Sequence, residues 1–205
     1  MVSSTRPLTA RADEPHSTCI TLNGAQIHLR ELPSLGKTIV RLGTSAQRGD
    51  ELTRAAGISL VNAPGEVAAQ LPLALWRGPL EWLVLTQAGS QHAEITSRLR
   101  QALGEATSLV ADFSDALSVI ELAGDAATSL LAKGCAVDIS SWPERGAFCV
   151  PAACARVPVL VHRQSPGRFW LHVDRSLSRY MWEWLCTAAT EFEDSSALTR
   201  AANER

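Results

Sequence analysis

Two runs near the carboxyl end of the chain, "ARVPVLVHR" (Ala155–Arg163) and "RFWLHVD" (Arg168–Asp174), have the composition of paired β-strands. Both are rich in β-branched and aromatic residues, which favour strands. Between them stands Ser165-Pro166-Gly167, a combination typical of a tight turn. The stretch therefore predicts an antiparallel hairpin.

Helical and strand-like patterns are mixed on both sides of this hairpin. Helices are predicted from Ser90 to about Leu103, from Asp125 to Lys133 and from about Ser176 to Phe192. Upstream, Gly78-Pro79 marks the turn of another hairpin. Clear hairpins among helices indicate the α+β class, with antiparallel strands and packed helices. We expect a single domain over residues 18–192, with a flexible N-terminal tail (1–17) and a polar C-terminal tail (193–205).

Composition excludes several classes of protein. The chain has 205 residues, 46% of them hydrophobic, and a net charge of −2, so nothing predicts binding to nucleic acid or to an acidic membrane surface. No apolar run reaches the length of a membrane span. The five cysteines are odd in number and scattered, which favours free thiols in a reducing compartment. We expect a cytoplasmic protein.

Lys133-Gly134-Cys135 places an amine, a glycine and a thiol side by side, as in a reactive site. The end of a helix explains all three. Gly134 falls where a left-handed residue would end the helix, and Lys133 suits the negative end of the helix dipole. Cys135 then packs back on the helix, so we predict that it is buried and unreactive.

The order of five short motifs resembles the gamma subunit family of heterotetrameric sarcosine oxidase. They run in the family's order over most of the chain from about Leu73 to Leu185. The motifs are "GPLEWLVL" (Gly78–Leu85), "LLAKGCAVDIS" (Leu130–Ser140), "FCVPAACAR" (Phe148–Arg156), "VPVLVHR" (Val157–Arg163) and "DRSLSRYMWEWL" (Asp174–Leu185).

The resemblance implies a fold, a reaction and partners. The family is similar to folate-binding aminomethyltransferase proteins, which implies a ferredoxin-like core. The implied enzyme is an oxidoreductase that oxidatively demethylates sarcosine to glycine, passes the one-carbon unit to tetrahydrofolate and releases hydrogen peroxide. Its FAD, FMN and NAD are implied in partner chains, so this chain would join alpha, beta and delta subunits and carry neither cofactor nor catalytic residue.

Three departures from the family pattern leave other functions open. Leu80 replaces an aspartate, Ala152 replaces a glycine, and the connection from Arg156 to Val157 is shorter than usual. A related complex acting on another N-methylated amine, as oxidase or dehydrogenase, is one alternative. A free-standing folate-binding aminomethyltransferase-like protein and a stand-alone scaffold protein are the others.

The residues themselves agree with a non-catalytic chain. The sequence has no G-x-G-x-x-G after a strand, no Walker loop, no H-E-x-x-H and no G-x-S-x-G. Cys149 and Cys154, with Cys135 and His162, could form a zinc site, but the spacing is uncommon and buried thiols are the simpler interpretation.

Two further groups of polar residues are considered for a structural or a functional role. Asp112 and Asp115 flank a short connection, where a turn explains them and a folate-binding carboxylate is the alternative. His162 and His172 lie in predicted strands, and we expect their side chains to point outward from the apolar face.

Tryptophan is the most informative residue type, with six copies against one tyrosine. On the last helix, Trp184 falls on the predicted apolar stripe and Trp182 at its edge, so we predict a core role for Trp184 and a subunit contact for Trp182. Trp142 stands in a loop-like stretch, and we predict the same contact role. Arg175, at the helix start, could add a polar contact. The predicted stripe consists of Leu177, Tyr180, Met181, Trp184, Leu185 and Ala188.

Overall fold

The computed structural model describes most of the chain in nine segments. They are residues 17–22, 25–32, 35–43, 53–54, 57–60, 63–67, 71–104, 108–143 and 146–190. The predicted tails lie outside these residues, except for Ser17.

Within the described segments the chain forms eleven β-strands and three α-helices. The strands are β1 (Ser17–Leu22), β2 (Ala25–Glu31), β3 (Gly36–Leu42), β4 (Gly65–Val67), β5 (Leu73–Gly78), β6 (Glu81–Thr86), β7 (Ser108–Asp112), β8 (Leu117–Ala123), β9 (Ala147–Cys154), β10 (Val157–Ser165) and β11 (Arg168–Asp174). The helices are α1 (Ser90–Leu103), α2 (Ala127–Ala132) and α3 (Ser178–Thr190), and 3₁₀ turns span Ile139–Ser141 and Arg175–Leu177.

The strands form two antiparallel sheets. The larger sheet has seven strands in the order β1-β2-β8-β11-β10-β9-β4, and the smaller has four in the order β5-β6-β3-β7. Every described pairing is antiparallel. The α+β class is therefore confirmed. The ferredoxin-like core is not confirmed, because that arrangement needs a parallel central pair and the described pairs include none.

The two sheets stack face to face between helices, which gives four layers. Alternate residues of β11 show the arrangement: Phe169, Leu171 and Val173 belong to a core shared with α2 and α3. Trp170 lies on the opposite face and packs into the core between the sheets. Helix α1 covers the outer face of the smaller sheet through a third core. The period of two in each strand thus places one set of side chains in each layer.

Helix α1 has the bounds that the sequence predicts. Ile95, Leu99 and Leu103 are buried against the smaller sheet, and Gly104 follows with a φ of 54°. Glu94 and Arg98 form an ion pair on the outside. Full burial of each leucine or isoleucine contributes about 1.5–3 kcal/mol to folding.

The hairpins are also where the sequence predicts them. β10 and β11 pair across a turn that contains Gly167 at φ 72°, and β5 and β6 pair across Pro79-Leu80. Leu80, which replaces the family's aspartate, has a φ of 60°. β9 and β10 are joined by two residues only, Ala155 at φ 50° and Arg156 at φ 68°. Two positive φ values make this connection a type I′ turn, which explains its shortness.

Candidate functional site

The buried face of α3 differs from the predicted stripe. Trp182 is only 4% exposed and packs in the core shared with α2 and the larger sheet, so its predicted position at the edge is wrong. Leu177 and Tyr180, predicted in the stripe, are exposed. The stripe is rotated because the small residues Ser178 and Ala189 also face the core. The buried residues of the helix are Ser178, Met181, Trp182, Leu185, Ala188 and Ala189.

Trp184 is half-buried and lies against Gly134. A Cβ on Gly134 would overlap Cζ2 and Cη2 of the Trp184 ring. Gly134 is not among the described residues with positive φ, so the predicted left-handed helix end is wrong. The chain instead continues its right-handed turn, since the Cys135 N–H donates to the Leu131 carbonyl at 2.8 Å. Glycine is needed here because an aromatic ring occupies the space of a side chain.

Trp142 is buried rather than presented to a partner. It is 7% exposed, and its ring lies 4.8 Å from that of Phe148. The guanidinium of Arg163 lies 5.6 Å from the centre of the Trp142 ring and donates to the Pro143 and Gly146 carbonyls. These contacts hold the loop against the larger sheet. Little of the Trp142 ring is therefore accessible to a partner, and the subunit contact at Trp142 stays a prediction.

Arg175 is exposed, as its predicted role requires, and it begins an apolar surface. Asp174 accepts from the Ser176 N–H at 2.8 Å and so fixes the turn before α3. Leu177 is 37% exposed, and Tyr180, three residues further along the chain, is 48% exposed. We call Arg175, Leu177 and Tyr180 the α3-start surface. Sequence reasoning missed its two apolar residues because it placed them in the core.

A cleft of about 440 Å³ opens beside this surface, between the two sheets. Leu177 and Asp174 line it on one side, and Arg77 and Glu81 on the other. Arg77 Nη1 and Glu81 Oε1 are 3.0 Å apart. The volume is within the range of small-molecule sites, and the lining combines apolar side chains with these charges.

His172 also lines the cleft and is buried, as is His162, so the predicted outward orientation of both is wrong. Gln164 Nε2 lies 2.9 Å from the His162 ring nitrogens, whereas neither nitrogen of His172 has a hydrogen-bond partner. Burial lowers the pKa of His162 to about 3. Burial, with repulsion from His162 and Lys37, also holds the pKa of His172 well below its usual value. Both imidazoles are therefore neutral.

The larger sheet separates the residues of the conceivable zinc site. Cys149 belongs to the core between the sheets, whereas Cys154 and Cys135 belong to the core on the helix side. Cys149 and Cys154 are five residues apart on one strand, and an odd separation places side chains on opposite faces. Among the described residues no three His, Cys, Asp or Glu side chains are grouped to hold a metal ion.

Asp112 takes part in a local turn, as the simpler interpretation predicts. Its carboxylate accepts from the Ser114 N–H at 2.8 Å and lies 3.2 Å from His92 Nε2. Burial alone would raise the pKa of Asp112, but these hydrogen bonds outweigh it and the pKa lies below its usual value. Asp115, the other acidic residue, is exposed.

A buried carboxylate, Glu121, joins three elements of the larger sheet. It accepts from Arg30 Nη2 at 3.0 Å, from Arg168 Nη2 at 2.7 Å and from Trp170 Nε1 at 3.0 Å. Burial opposes ionisation, but the donors Trp170 and Arg168 outweigh it, so the pKa of Glu121 is lowered. The network ties β2 and β11 to β8 through one charged group.

Cys135 is buried, as predicted, and faces Cys154 across an isolated antiparallel bridge. The Ala136 N–H donates to the Ala153 carbonyl at 2.8 Å, and the Ala155 N–H donates to the Gly134 carbonyl at 2.9 Å. Sequence reasoning grouped these two cysteines only in the conceivable zinc site. Their direct backbone pairing was not predicted, because it has no local sequence signal.

In the part of the chain that is described, no helix is long and apolar enough to cross a membrane.

The fold is similar to that of a chain in a multi-chain oxidase. It superposes, with a TM-score of 0.73 and 27% identity, on a chain in the structure of heterotetrameric sarcosine oxidase from Corynebacterium sp. U-96 in complex with pyrrole 2-carboxylate. The match covers 83% of this chain and 87% of that one.

Sequence comparison then identifies the family. The sequence model of the sarcosine oxidase, gamma subunit family matches residues 46–191. Sarcosine oxidase subunit gamma from Corynebacterium sp. (strain P-1) is 30% identical over 81% of each chain. The same subunit from Arthrobacter sp. is 31% identical over 80% of each. The chain belongs to the sarcosine oxidase gamma subunit family.

Proposed function

We propose that this chain is the gamma subunit of a heterotetrameric sarcosine oxidase in the cytoplasm. The observation that carries the proposal is the agreement between the family match over residues 46–191 and the structural match to a chain of such an enzyme. In this proposal the complex oxidatively demethylates sarcosine to glycine. It transfers the one-carbon unit to tetrahydrofolate and releases hydrogen peroxide.

The role of this chain in the complex is structural. FAD, FMN, NAD and tetrahydrofolate would be held by the partner chains, the alpha, beta and delta subunits. The likeness to aminomethyltransferase proteins would then reflect shared ancestry of the fold rather than a folate site in this chain.

We place the docking surface at the α3-start surface, in place of Trp182 and Trp142. Of the three large hydrophobic residues that are exposed among the described ones, Leu177 and Tyr180 lie here and Leu109 lies elsewhere. Tyrosine and arginine are also enriched among residues that dominate binding energy at interfaces. Arg175 supplies the charge and the tyrosine ring the apolar area.

Co-expression with the partner chains tests this docking surface. The tagged chain should retain the flavin-bearing partners, and Tyr180→Ala with Leu177→Ala should weaken their retention by about ten-fold or more, equivalent to about 1.4 kcal/mol. Leu109→Ala is the matched control, since it also removes an exposed leucine side chain. If the α3-start variant and the control bind alike, the surface is wrong. Sarcosine-dependent peroxide release by the purified complex tests the reaction, and turnover of a different N-methylated amine alone would favour the related enzyme.

A further inference from the structure

Cys135 and Cys154 are opposed in a way that suits a covalent bond between them. The two flanking hydrogen bonds join residues 134 and 136 to residues 155 and 153, so the cysteines form a non-hydrogen-bonded antiparallel pair. In such a pair the Cα atoms are about 4.5 Å apart, and the side chains are on the same face. That spacing lies within the range of about 4.4–6.8 Å that disulfides use.

The two thiols already interact, and their environments differ. Their side chains hydrogen-bond each other, and the Val137 N–H donates to the Cys135 sulfur. The bond from Cys154, aided by Val137, holds the pKa of Cys135 below its usual value, while the pKa of Cys154 is raised by that same bond and by burial. Of the two thiols, Cys135 is therefore the more readily ionised and the better placed to attack first.

Solvent exposure also favours Cys135 as the thiol that reacts first. Cys135 is 9% exposed and follows α2 in an irregular stretch, whereas Cys154 is fully buried. Only Cys135 can meet a small reagent from solvent, and only Cys154 is placed to react with it afterwards. Both are free thiols.

We propose, against the sequence-based prediction that Cys135 is unreactive, that Cys135 and Cys154 are a redox-active pair that a hydroperoxide converts to a disulfide. The Cys135 sulfur attacks the peroxide, the O–O bond breaks, and a sulfenic acid and water (from hydrogen peroxide) form. The Cys154 sulfur then attacks the sulfenic sulfur; an S–S bond replaces the S–O bond, and the second water carries away the Cys154 proton. Two electrons pass from the sulfurs to the peroxide, and a thiol reductant reverses the change.

The test adds hydrogen peroxide to the reduced full-length chain and maps its cysteines by mass spectrometry. Cys186 is the internal reference, since it is more exposed than either member of the pair, with its pKa raised to about 11 by burial and by Glu183. We expect loss of the Cys135 and Cys154 thiols, and a peptide that joins them, before Cys186 is modified. Modification of Cys186 first, with the pair still reduced, would overturn the proposal.

Two variants make the assignment specific. With Cys154→Ala, Cys135 should accumulate as a sulfenic acid that a dimedone reagent traps, and no disulfide should form. With Cys186→Ala, the Cys135–Cys154 peptide should form as in the natural chain. A disulfide that includes another cysteine in either variant contradicts the proposal. If Cys154→Ala does not fold, the order of cysteine modification in the natural chain still tests the proposal.

The proposed oxidase activity would provide a nearby source of peroxide, but the pair does not depend on it. The assembled complex can be given its amine substrate with and without catalase. If added peroxide forms the disulfide and turnover does not, the proposed peroxide release is at fault and the redox-active pair stands. If neither forms it, the redox-active pair is wrong whatever the complex oxidises.

Discussion

Gly134 has no side chain, and the Trp184 ring fills the space that a side chain would occupy. Gly134→Ala should lower the free energy of unfolding by about 1–3 kcal/mol, because the new methyl group overlaps that ring. Thermal or urea unfolding of the isolated chain measures the change. Combining it with Trp184→Leu should recover part of the loss, so that the two changes are coupled by about 0.5 kcal/mol or more. Strict additivity would mean that the ring is not what excludes the methyl group.

Ala155 and Arg156 hold positive φ values that favour asparagine and glycine. Arg156→Gly should therefore raise the stability by up to about 1 kcal/mol, since it relieves a left-handed conformation at an exposed residue. Ala153→Gly is the control, because Ala153 is an exposed residue of β9 whose φ is not positive. The control should lower stability. Equal effects of the two glycines on the urea midpoint would contradict the type I′ turn.

At the scale of elements, Trp182 takes the core position on α3 that the hydrophobic pattern gives to Trp184, and Trp184 packs half-buried against the same core. Trp182→Ala should cost about 3–5 kcal/mol of stability, because it leaves a cavity in the core shared with the larger sheet. Trp184→Ala should cost less, since Trp184 is half-buried. Melting curves of the two variants decide between these roles, and a larger loss for Trp184→Ala would restore the predicted stripe.

The bounds of α1 and the hairpins could be predicted because local signals determine them: a period of 3.6 residues, Gly104 after the helix, and Pro-Gly turns. The rotation of α3 could not, since its core face includes Ser178 and Ala189, which carry little hydrophobic signal. Contacts between distant residues, such as Gly134 with Trp184 or Cys135 with Cys154, depend on how the layers stack. No local pattern records that stacking.

At the scale of the whole molecule, Glu121 links the stability of the larger sheet to pH. Its pKa is lower in the folded chain than in the unfolded one, so its contribution is present above the ordinary glutamate pKa of about 4.3 and is lost as the pH falls through the folded value. Glu121→Gln should lower the unfolding midpoint at neutral pH and weaken its fall below about pH 4.3. Glu94→Gln, at an exposed ion pair, is the control. An unchanged acid profile in Glu121→Gln would show that the network does not act through charge.

We propose that this chain is one subunit of a larger flavin-bearing oxidase. Native mass spectrometry of the assembly that co-purifies with the tagged chain tests it most directly, when the partner chains are co-expressed. We expect a four-chain assembly that contains one copy of this chain and absorbs as a flavoprotein. A chain that purifies alone, without partners or flavin, would contradict it.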